Sequence, residues 1–147
     1  MPIQIPIGDE DKFVGIIDLV LMKAYVWDQD QTGVKFSTIN VPSEYTEISE
    51  KFRDNLIEKL SERDDQILTK FLDGVAITDA EIKAAIRKGT IALNFVPVLC
   101  GASFKNKGVQ QLLDAVIDYL YRDWETDRKS TRLNSSHEIP SRMPSSA

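Results

Sequence analysis

The segment FVPVLCGASFKNKGVQQLLDAVIDYL, residues 95–120, has a three-part pattern that bears most directly on the fold. A mostly apolar run leads into the small residues 100–103, then a lysine-rich stretch, and then apolar residues at helical spacing. This order predicts a buried strand, a loop and an amphipathic helix. Ligands of open α/β sheets bind in such loops, and Gly101 would let the backbone approach one closely. An ordinary connection with solubilising lysines is the alternative, and spacing alone favours it.

The helix after this loop has the clearest amphipathic pattern in the chain. Its apolar positions are Val109, Leu112, Leu113, Val116, Ile117 and Leu120. One strand and one helix cannot close a core, because a strand needs neighbours with which to pair its backbone groups. We therefore expect this segment to be the last piece of a sheet whose other strands lie elsewhere.

Composition excludes several classes of protein. The 147 residues are 42% hydrophobic and 28% charged, as in soluble globular domains, and contain no long apolar run or secretory leader. Cys100 is the only cysteine, which excludes a disulfide framework and fits a reducing, cytoplasmic compartment. The net charge of −5 argues against a nucleic-acid binder with a broad basic face. The lone histidine, His137, argues against a catalytic metal cluster.

The preceding part of the chain predicts a small, mostly antiparallel sheet followed by helices, so the fold class is α+β with an α/β-type ending. β-rich runs occupy residues 3–7, 13–20, 23–27 and 34–41. A long helix begins near Ser43, with its apolar face on Tyr45, Ile48, Phe52, Leu56 and Leu60. A shorter helix ends at Gly74, and a third begins with a capping box at Thr78 and Glu81 and ends near Gly89.

The end of the chain has a different composition. Residues 127–147 are rich in serine, arginine and proline and show neither helical nor strand periodicity. They resemble the translation of a sequencing adapter, and residues 121–126 are assigned to the same read-through. We expect a non-native, disordered tail over residues 121–147, with native sequence ending near Leu120.

Three other motifs have simple structural explanations. DQDQTG, residues 28–33, resembles the opening of a calcium loop, but Ile39 stands where the bidentate glutamate is needed, and a hairpin turn explains the motif equally well. The acidic residues of the long helix suit a solvated face, with a partner-binding face as the alternative. Cys100 suits a packed thiol at the end of a strand, since nothing nearby marks it as a nucleophile.

The segments as a set resemble a known family. CGASFKNKGVQQLLDAVIDYL resembles the part of bacterial elongation factor G that contains its fifth guanine-nucleotide motif and the last helix of its GTPase domain. IQIPIGDEDKFVGIIDLVLMKAYVW, NLIEKL and ITDAEIKAAIRKGT resemble the insertion within that domain. The resemblance runs from residue 2 to residue 120 in the family's order. It implies three parts: the insertion (1–93), the last strand, base loop and helix (94–120), and the tail (121–147).

The resemblance also implies a function and residues that serve it. The parent would be a GTP-dependent ribosomal translocase that binds GTP or GDP, with magnesium held by segments absent from this sequence. The Ser103 backbone N–H would face the guanine carbonyl, and Gly101, Ala102 and Phe104 would shape the loop. The family's usual Ser-Ala order reads Ala102-Ser103 here, a swap that keeps the backbone donor. The implied partners are the ribosome and its stalk protein, the latter at Glu58, Glu62 and Asp65.

The missing motifs limit what this polypeptide can do alone. The sequence has no G-x-x-x-x-G-K-[ST] phosphate loop and no Asn-Lys-x-Asp motif. Phosphoryl transfer depends on the charge stabilisation and positioning that those parts supply. We therefore expect no catalytic residues, no bound cofactor and no GTP hydrolysis from this chain by itself. The alternatives are a non-catalytic module that binds the stalk protein, and a piece of a related ribosome-protection or release-type GTPase.

Overall fold

The structure is a computed structural model and describes residues 1–27, 33 and 35–120. Its sheet is antiparallel and follows chain order, with strands β1 (Gln4–Ile7), β2 (Gly15–Asp18), β3 (Lys23–Trp27) and β4 (Phe36–Asn40). Its helices are α1 (Ser43–Ser61), α2 (Asp65–Leu72), α3 (Asp79–Ile91) and α4 (Val109–Tyr119). This architecture confirms the predicted α+β class with a small antiparallel sheet. The predicted disordered tail, residues 121–147, lies outside the described residues.

The sheet forms from the predicted β-rich runs, and β1 illustrates how one of them is placed. Ile3, Ile5 and Ile7 are all buried, whereas Pro6 between them is exposed. Pro6 pairs with Ile16 on β1, which is an edge strand and therefore tolerates a residue without an N–H. The edge position therefore accounts for a proline within this strand.

The core lies between the sheet and two helices. Most of its side chains come from β1 and β2, from the turn after β2, and from α1 and α3, and Ala24, Ile67 and Tyr119 complete it. The large residues with almost no exposed surface are Ile16, Ile17, Leu19, Val20, Leu56, Leu60, Ile82 and Ile86. Since burying one such side chain contributes about 1.5–3 kcal/mol, this cluster is the main source of stability in the described chain.

The buried face of α1 differs from the prediction at one turn. Leu56 and Leu60 are buried as expected, but Ile48 is 45% exposed and Ser49 is fully buried. Positions 48 and 49 both fit a 3.6-residue period after Tyr45, so periodicity cannot separate them. The small side chain of Ser49 lets the helix approach its neighbours closely. The assignment of Ile48 to the core was wrong.

The boundaries of α2 and α3 follow their capping residues. Asp64 accepts hydrogen bonds from the Gln66 and Ile67 amides at the start of α2, and Gly74 follows that helix at φ +65°. At α3 the capping box of Thr78 and Glu81 is present, as predicted. However, α3 continues past Gly89 to Ile91. A Cβ built on Gly89 would lie 2.2 Å from the Phe95 ring, so this glycine makes room for the ring and does not end the helix.

The segment after α3 does not form the predicted buried strand. It makes one isolated parallel bridge, between Pro2 and Val98, supported by bonds from Val98 N to Met1 O (2.8 Å) and from Ile3 N to Val98 O (3.0 Å). Val96 is 73% exposed. A strand is buried when helices or another sheet cover its faces. The described residues leave this segment largely uncovered, with one partial neighbour.

Helix α4 packs against α3 along its polar side. Lys83 Nζ lies 2.7 Å from Asp118 Oδ2, and Arg87 donates to the carbonyl oxygen of Asp118 at 3.1 Å. Tyr119 is buried, and Ala115 packs against the core. The predicted amphipathic residues lie on another side of the helix, where Leu112, Leu113, Val116, Ile117 and Leu120 are 40–59% exposed. No helix of the described part is both long and apolar enough to cross a lipid bilayer.

Candidate functional site

The loop between residue 99 and α4 is a compact, self-bonded turn. Ala102 and Lys107 form an isolated antiparallel bridge, with Ala102 N donating to Lys107 O at 2.9 Å and Lys107 N donating to Ala102 O at 3.1 Å. A single 3-10 turn, Ser103–Lys105, crosses the tip, and Asn106 returns the chain at φ +52°. The bridge ties the two arms of the loop together, so a restraint on one arm restrains the other.

The base of the loop requires close backbone contact. Gly108 has φ +86°, and a Cβ built there would lie 3.0 Å from the Cys100 carbonyl oxygen. A Cβ on Gly101 would lie 2.8 Å from the Lys107 carbonyl oxygen. The two glycines therefore let the chain enter and leave the loop side by side, and α4 begins directly after Gly108.

The loop presents a backbone donor to solvent. The Ser103 carbonyl accepts a hydrogen bond from Asn106 N at 3.1 Å, whereas the Ser103 N–H has no acceptor among the described residues. Ser103, Gly101 and Lys107 line a shallow cleft of about 200 Å³, bounded on the helix side by Leu112. Pockets that enclose a whole small molecule measure roughly 300–1,000 Å³. The loop can therefore supply one wall of a site, with a donor and a cation, but does not enclose a ligand.

The four predicted loop residues differ in their positions. Gly101 and Ser103 line the cleft, whereas Ala102 makes the bridge that closes the loop. Phe104 is fully exposed and is not among the residues that line the cleft. Burial raises the pKa of the nearby Cys100 thiol to about 11, so the thiol stays protonated at neutral pH and suits packing more than nucleophilic attack.

The predicted partner-binding acids lie near the junction of α1 and α2. Glu58, Glu62 and Asp65 are all exposed. Glu58 lines a groove of about 500 Å³ that also contains Phe71 of α2. Three further carboxylates line that groove, namely Glu47, Glu50 and Asp54. Asp65 instead borders a separate cleft between α2 and α3, so these acids do not form one site.

The cleft between α2 and α3 measures about 810 Å³ and was not predicted as a site. Two ion pairs span it, Lys70–Glu81 and Lys88–Asp64, the latter at 2.9 Å. The hydrogen bonds that Lys70 and Thr78 donate lower the pKa of Glu81 to about 2, and the bond from Lys88 lowers the pKa of Asp64. These carboxylates already have cationic partners, so the cleft is a structural contact between two helices.

Sequence reasoning missed the exposed aromatic ring in the acidic groove. The α2 pattern predicts a helix but does not tell which apolar residues remain exposed, and Phe71 is partly exposed beside the carboxylates. One signal in the sequence could have found it: α2 has more apolar residues than one buried face of an eight-residue helix can hold, so some of them must be exposed.

Metal binding finds no support among the residues that the structure describes. No three His, Cys, Asp or Glu side chains there are grouped as metal ligands. The candidate calcium motif falls mainly on residues 28–32, which lie outside the described residues.

Comparison with known proteins supports the fold but not an identity. No family model matches the chain. A crystal structure of a protein from Thermus thermophilus is similar to it, with 28% sequence identity and a TM-score of 0.67. The similarity covers 80% of this chain and 17% of the Thermus chain. The chain thus spans about 17% of the length of that protein, and the same arrangement of elements occurs within a much longer bacterial polypeptide.

Proposed function

We propose that the chain is a segment of bacterial elongation factor G, a GTP-dependent ribosomal translocase. Residues 1–93 would be the insertion within the GTPase domain, and residues 94–120 would be the last strand, base loop and helix of that domain. The resemblance of the sequence to this family supports the proposal. So does the similarity to a segment of a longer Thermus protein over 80% of the chain.

The observation that carries the proposal is the uncovered apolar face of α4. Leu112, Leu113, Val116 and Ile117 are exposed on the same helix, and Val96 and Val98 are exposed on the segment that leads to it. Complete burial of such a side chain contributes roughly 1.5–3 kcal/mol, and these half-exposed residues forgo part of it, so a helix with this face is suited to cover a sheet. In the proposed parent, the remaining strands of the GTPase sheet cover this face and pair with residues 95–99.

The proposed ligand of the loop is the guanine base of GTP or GDP. The free N–H of Ser103 would donate to the guanine carbonyl oxygen, and the cleft beside Lys107 would receive the edge of the ring. Gly101 and Ala102 allow this approach, and Phe104 would cover the base from outside. The phosphates and magnesium would be held by the rest of the parent, so the described chain supplies base recognition and no catalytic group.

The complete reading frame around this sequence tests the proposal. We expect a phosphate-loop motif upstream, and we expect the protein encoded by the complete frame to bind GDP. In that protein, Ser103→Pro removes the backbone donor and should weaken GDP binding roughly fivefold to tenfold, the effect of one hydrogen bond worth about 1 kcal/mol. Ser103→Ala keeps the N–H and is the matched control.

Two results would contradict the proposal. One is a complete reading frame without a nucleotide-binding half. The other is micromolar GDP affinity of the 147-residue chain in a calorimetric titration, because one wall of a base site cannot give such affinity without phosphate contacts. If the complete frame encoded a ribosome-protection or release-type GTPase, the proposed role of the base loop would stand and only the assignment to elongation factor G would change.

The acidic groove favours a second activity for the same chain, namely binding of the ribosomal stalk protein. Glu58 and three neighbouring carboxylates line that groove together with Phe71 and one cation, Lys51, and the net negative charge suits a partner with basic and apolar side chains. Glu62 and Asp65 lie outside this groove, at the end of α1 and in the first turn of α2. Pull-down of purified stalk protein by the chain should fall with Glu58→Lys, and Asp73→Lys is a control for the change of net charge.

A further inference from the structure

Gly33, between β3 and β4, lies against the base loop through its backbone. Gly33 is buried and has φ +61°. A Cβ built on it would lie 2.0 Å from the Lys105 carbonyl oxygen and 3.0 Å from the Asn106 carbonyl carbon. No side chain fits at this position, so Gly33 and the loop tip meet backbone to backbone.

A second contact joins the same arm of the loop to the sheet. Lys107 is partly buried, and its Nζ donates to the Phe13 carbonyl oxygen at 3.3 Å. Phe13 in turn stacks on Trp27 at the end of β3, with ring centroids 6.4 Å apart and an interplanar angle of 26°. Trp27 is buried and also contacts the ring of Phe36 on β4, 6.0 Å away. The lysine is therefore anchored to a packed aromatic group at the hairpin.

The opposite arm of the loop carries the unpaired backbone donor. Ser103 is exposed, and its N–H has no acceptor among the described residues. The pair of hydrogen bonds between Ala102 and Lys107 connects the two arms. A restraint at Lys105 and Lys107 is thus transmitted across the loop to the residue next to the free donor.

We propose that the sheet of residues 1–93 holds the base loop in its binding shape, with Gly33 and Lys107 as positioning residues for the Ser103 N–H. The ligand in this inference rests on the proposed function, whereas the positioning itself rests on the contacts of this chain. A preorganised donor loses less conformational entropy on binding than a mobile one. In the proposed parent, loosening the hairpin would weaken base binding without any change in a residue that touches the base.

Backbone ¹⁵N relaxation of the 147-residue chain tests the inference. Gly33→Ala adds a Cβ where the Lys105 carbonyl lies, so the order parameters of residues 103–107 should fall from about 0.85 to below about 0.6, the flexible range. Gly74→Ala is the matched control, because Gly74 has a similar φ of +65° with nothing within 4 Å of its Cβ position. It carries the same backbone strain and should leave the loop rigid.

Lys107 provides an independent, milder variant. Lys107→Met removes the bond to the Phe13 carbonyl and should also lower the order parameters of residues 103–107, while Lys107→Arg should restore them. The urea midpoint of each variant separates local loosening from loss of global stability. Unchanged loop order in both Gly33→Ala and Lys107→Met would overturn the inference, as would equal loosening in Gly74→Ala or failure of Lys107→Arg to restore order.

The readout involves no nucleotide, so it separates the two proposals. A loop that loosens as expected, in a protein whose complete reading frame lacks a nucleotide-binding half, supports the positioning role and contradicts the proposed function. A loop that stays rigid in Gly33→Ala and Lys107→Met, in a protein that binds GDP through Ser103, contradicts the positioning role and supports the proposed function.

Discussion

Helices α3 and α4 lie side by side in this chain but differ in how their apolar residues are used. On α3, Ile82 and Ile86 have no exposed surface and face β-strand and α1 residues. On α4, Val116 and Ile117 are largely exposed, and the helix is held to α3 by Lys83 and Arg87. Similar sequence patterns thus give a complete core in one region and an uncovered face in the other. The difference shows that amphipathicity predicts a helix, whereas burial depends on which elements are present to cover it.

The largest expected effect on the free energy of unfolding comes from replacing one isoleucine on each of the two helices. Ile86→Ala should cost about 2–5 kcal/mol of unfolding free energy, because it leaves a cavity in a closed core. Ile117→Ala should change stability by no more than about 0.5 kcal/mol, as expected of an exposed position. Urea denaturation of both variants measures the difference. Equal losses would mean that the α4 face is buried in this chain.

A smaller effect on stability is expected at the turn after β2, where one carboxylate accepts hydrogen bonds from two backbone amides. Asp18 Oδ1 accepts the amides of Val20 (2.8 Å) and Leu21 (3.0 Å). Asp18→Ala should cost about 1–3 kcal/mol, since both part-buried amides lose their acceptor. Asp18→Asn keeps the accepting oxygen and should lose less. Thermal unfolding at pH 7 compares the two variants, and identical losses would exclude the hydrogen bonds as the cause.

The pH dependence of the same carboxylate has a defined sign. Burial raises the pKa of Asp18, so its ionisation opposes folding at neutral pH. That cost is relieved as the pH falls through the raised pKa towards the ordinary value of an aspartate. Asp18→Asn should remove this contribution. In thermal unfolding, wild type should therefore gain stability relative to the variant as the pH falls through that range.

The smallest expected effect concerns Glu81, at the exposed start of α3. Hydrogen bonds from Lys70 and Thr78 lower its pKa to about 2, so its stabilising contribution is complete above pH 4.5 and is lost as the pH falls towards 2. Glu81→Gln should be slightly less stable than wild type at pH 7, and the two unfolding midpoints should converge by pH 2. Lys70→Met should reduce the same acid dependence. A constant gap across this range would contradict the assignment.

Local signals in the sequence predicted much of the fold. β3 has the predicted bounds, and the capping box of α3 begins that helix at the predicted place, because turn and cap chemistry act within a few residues. Ile48 and the segment of residues 95–99 were predicted wrongly for a common reason. Burial at both depends on neighbours distant in sequence, which spacing alone does not specify.

The candidate site was less predictable than the fold. The loop follows from a run of small residues, and the family resemblance implies its Ser103 donor. The contact of Gly33 with Lys105, in contrast, joins positions more than seventy residues apart. Nothing in the local sequence of either segment signals that contact. The exposed ring of Phe71 was missed for the same reason, since it depends on how α2 lies against α1.

The pairing of residues 1–3 with residues 96–98 has a kinetic consequence. The hairpins of the sheet and the contacts between α1 and α2 join residues that are near in sequence, and such contacts form rapidly. The bond from Met1 N to Val96 O, in contrast, closes a loop of 95 residues. Closing so long a loop carries a larger entropic penalty than forming contacts between residues near in sequence. This pairing should therefore form after the sheet and helices have assembled. Refolding of this chain should therefore end with a late step that docks residues 95–120 onto a domain already formed.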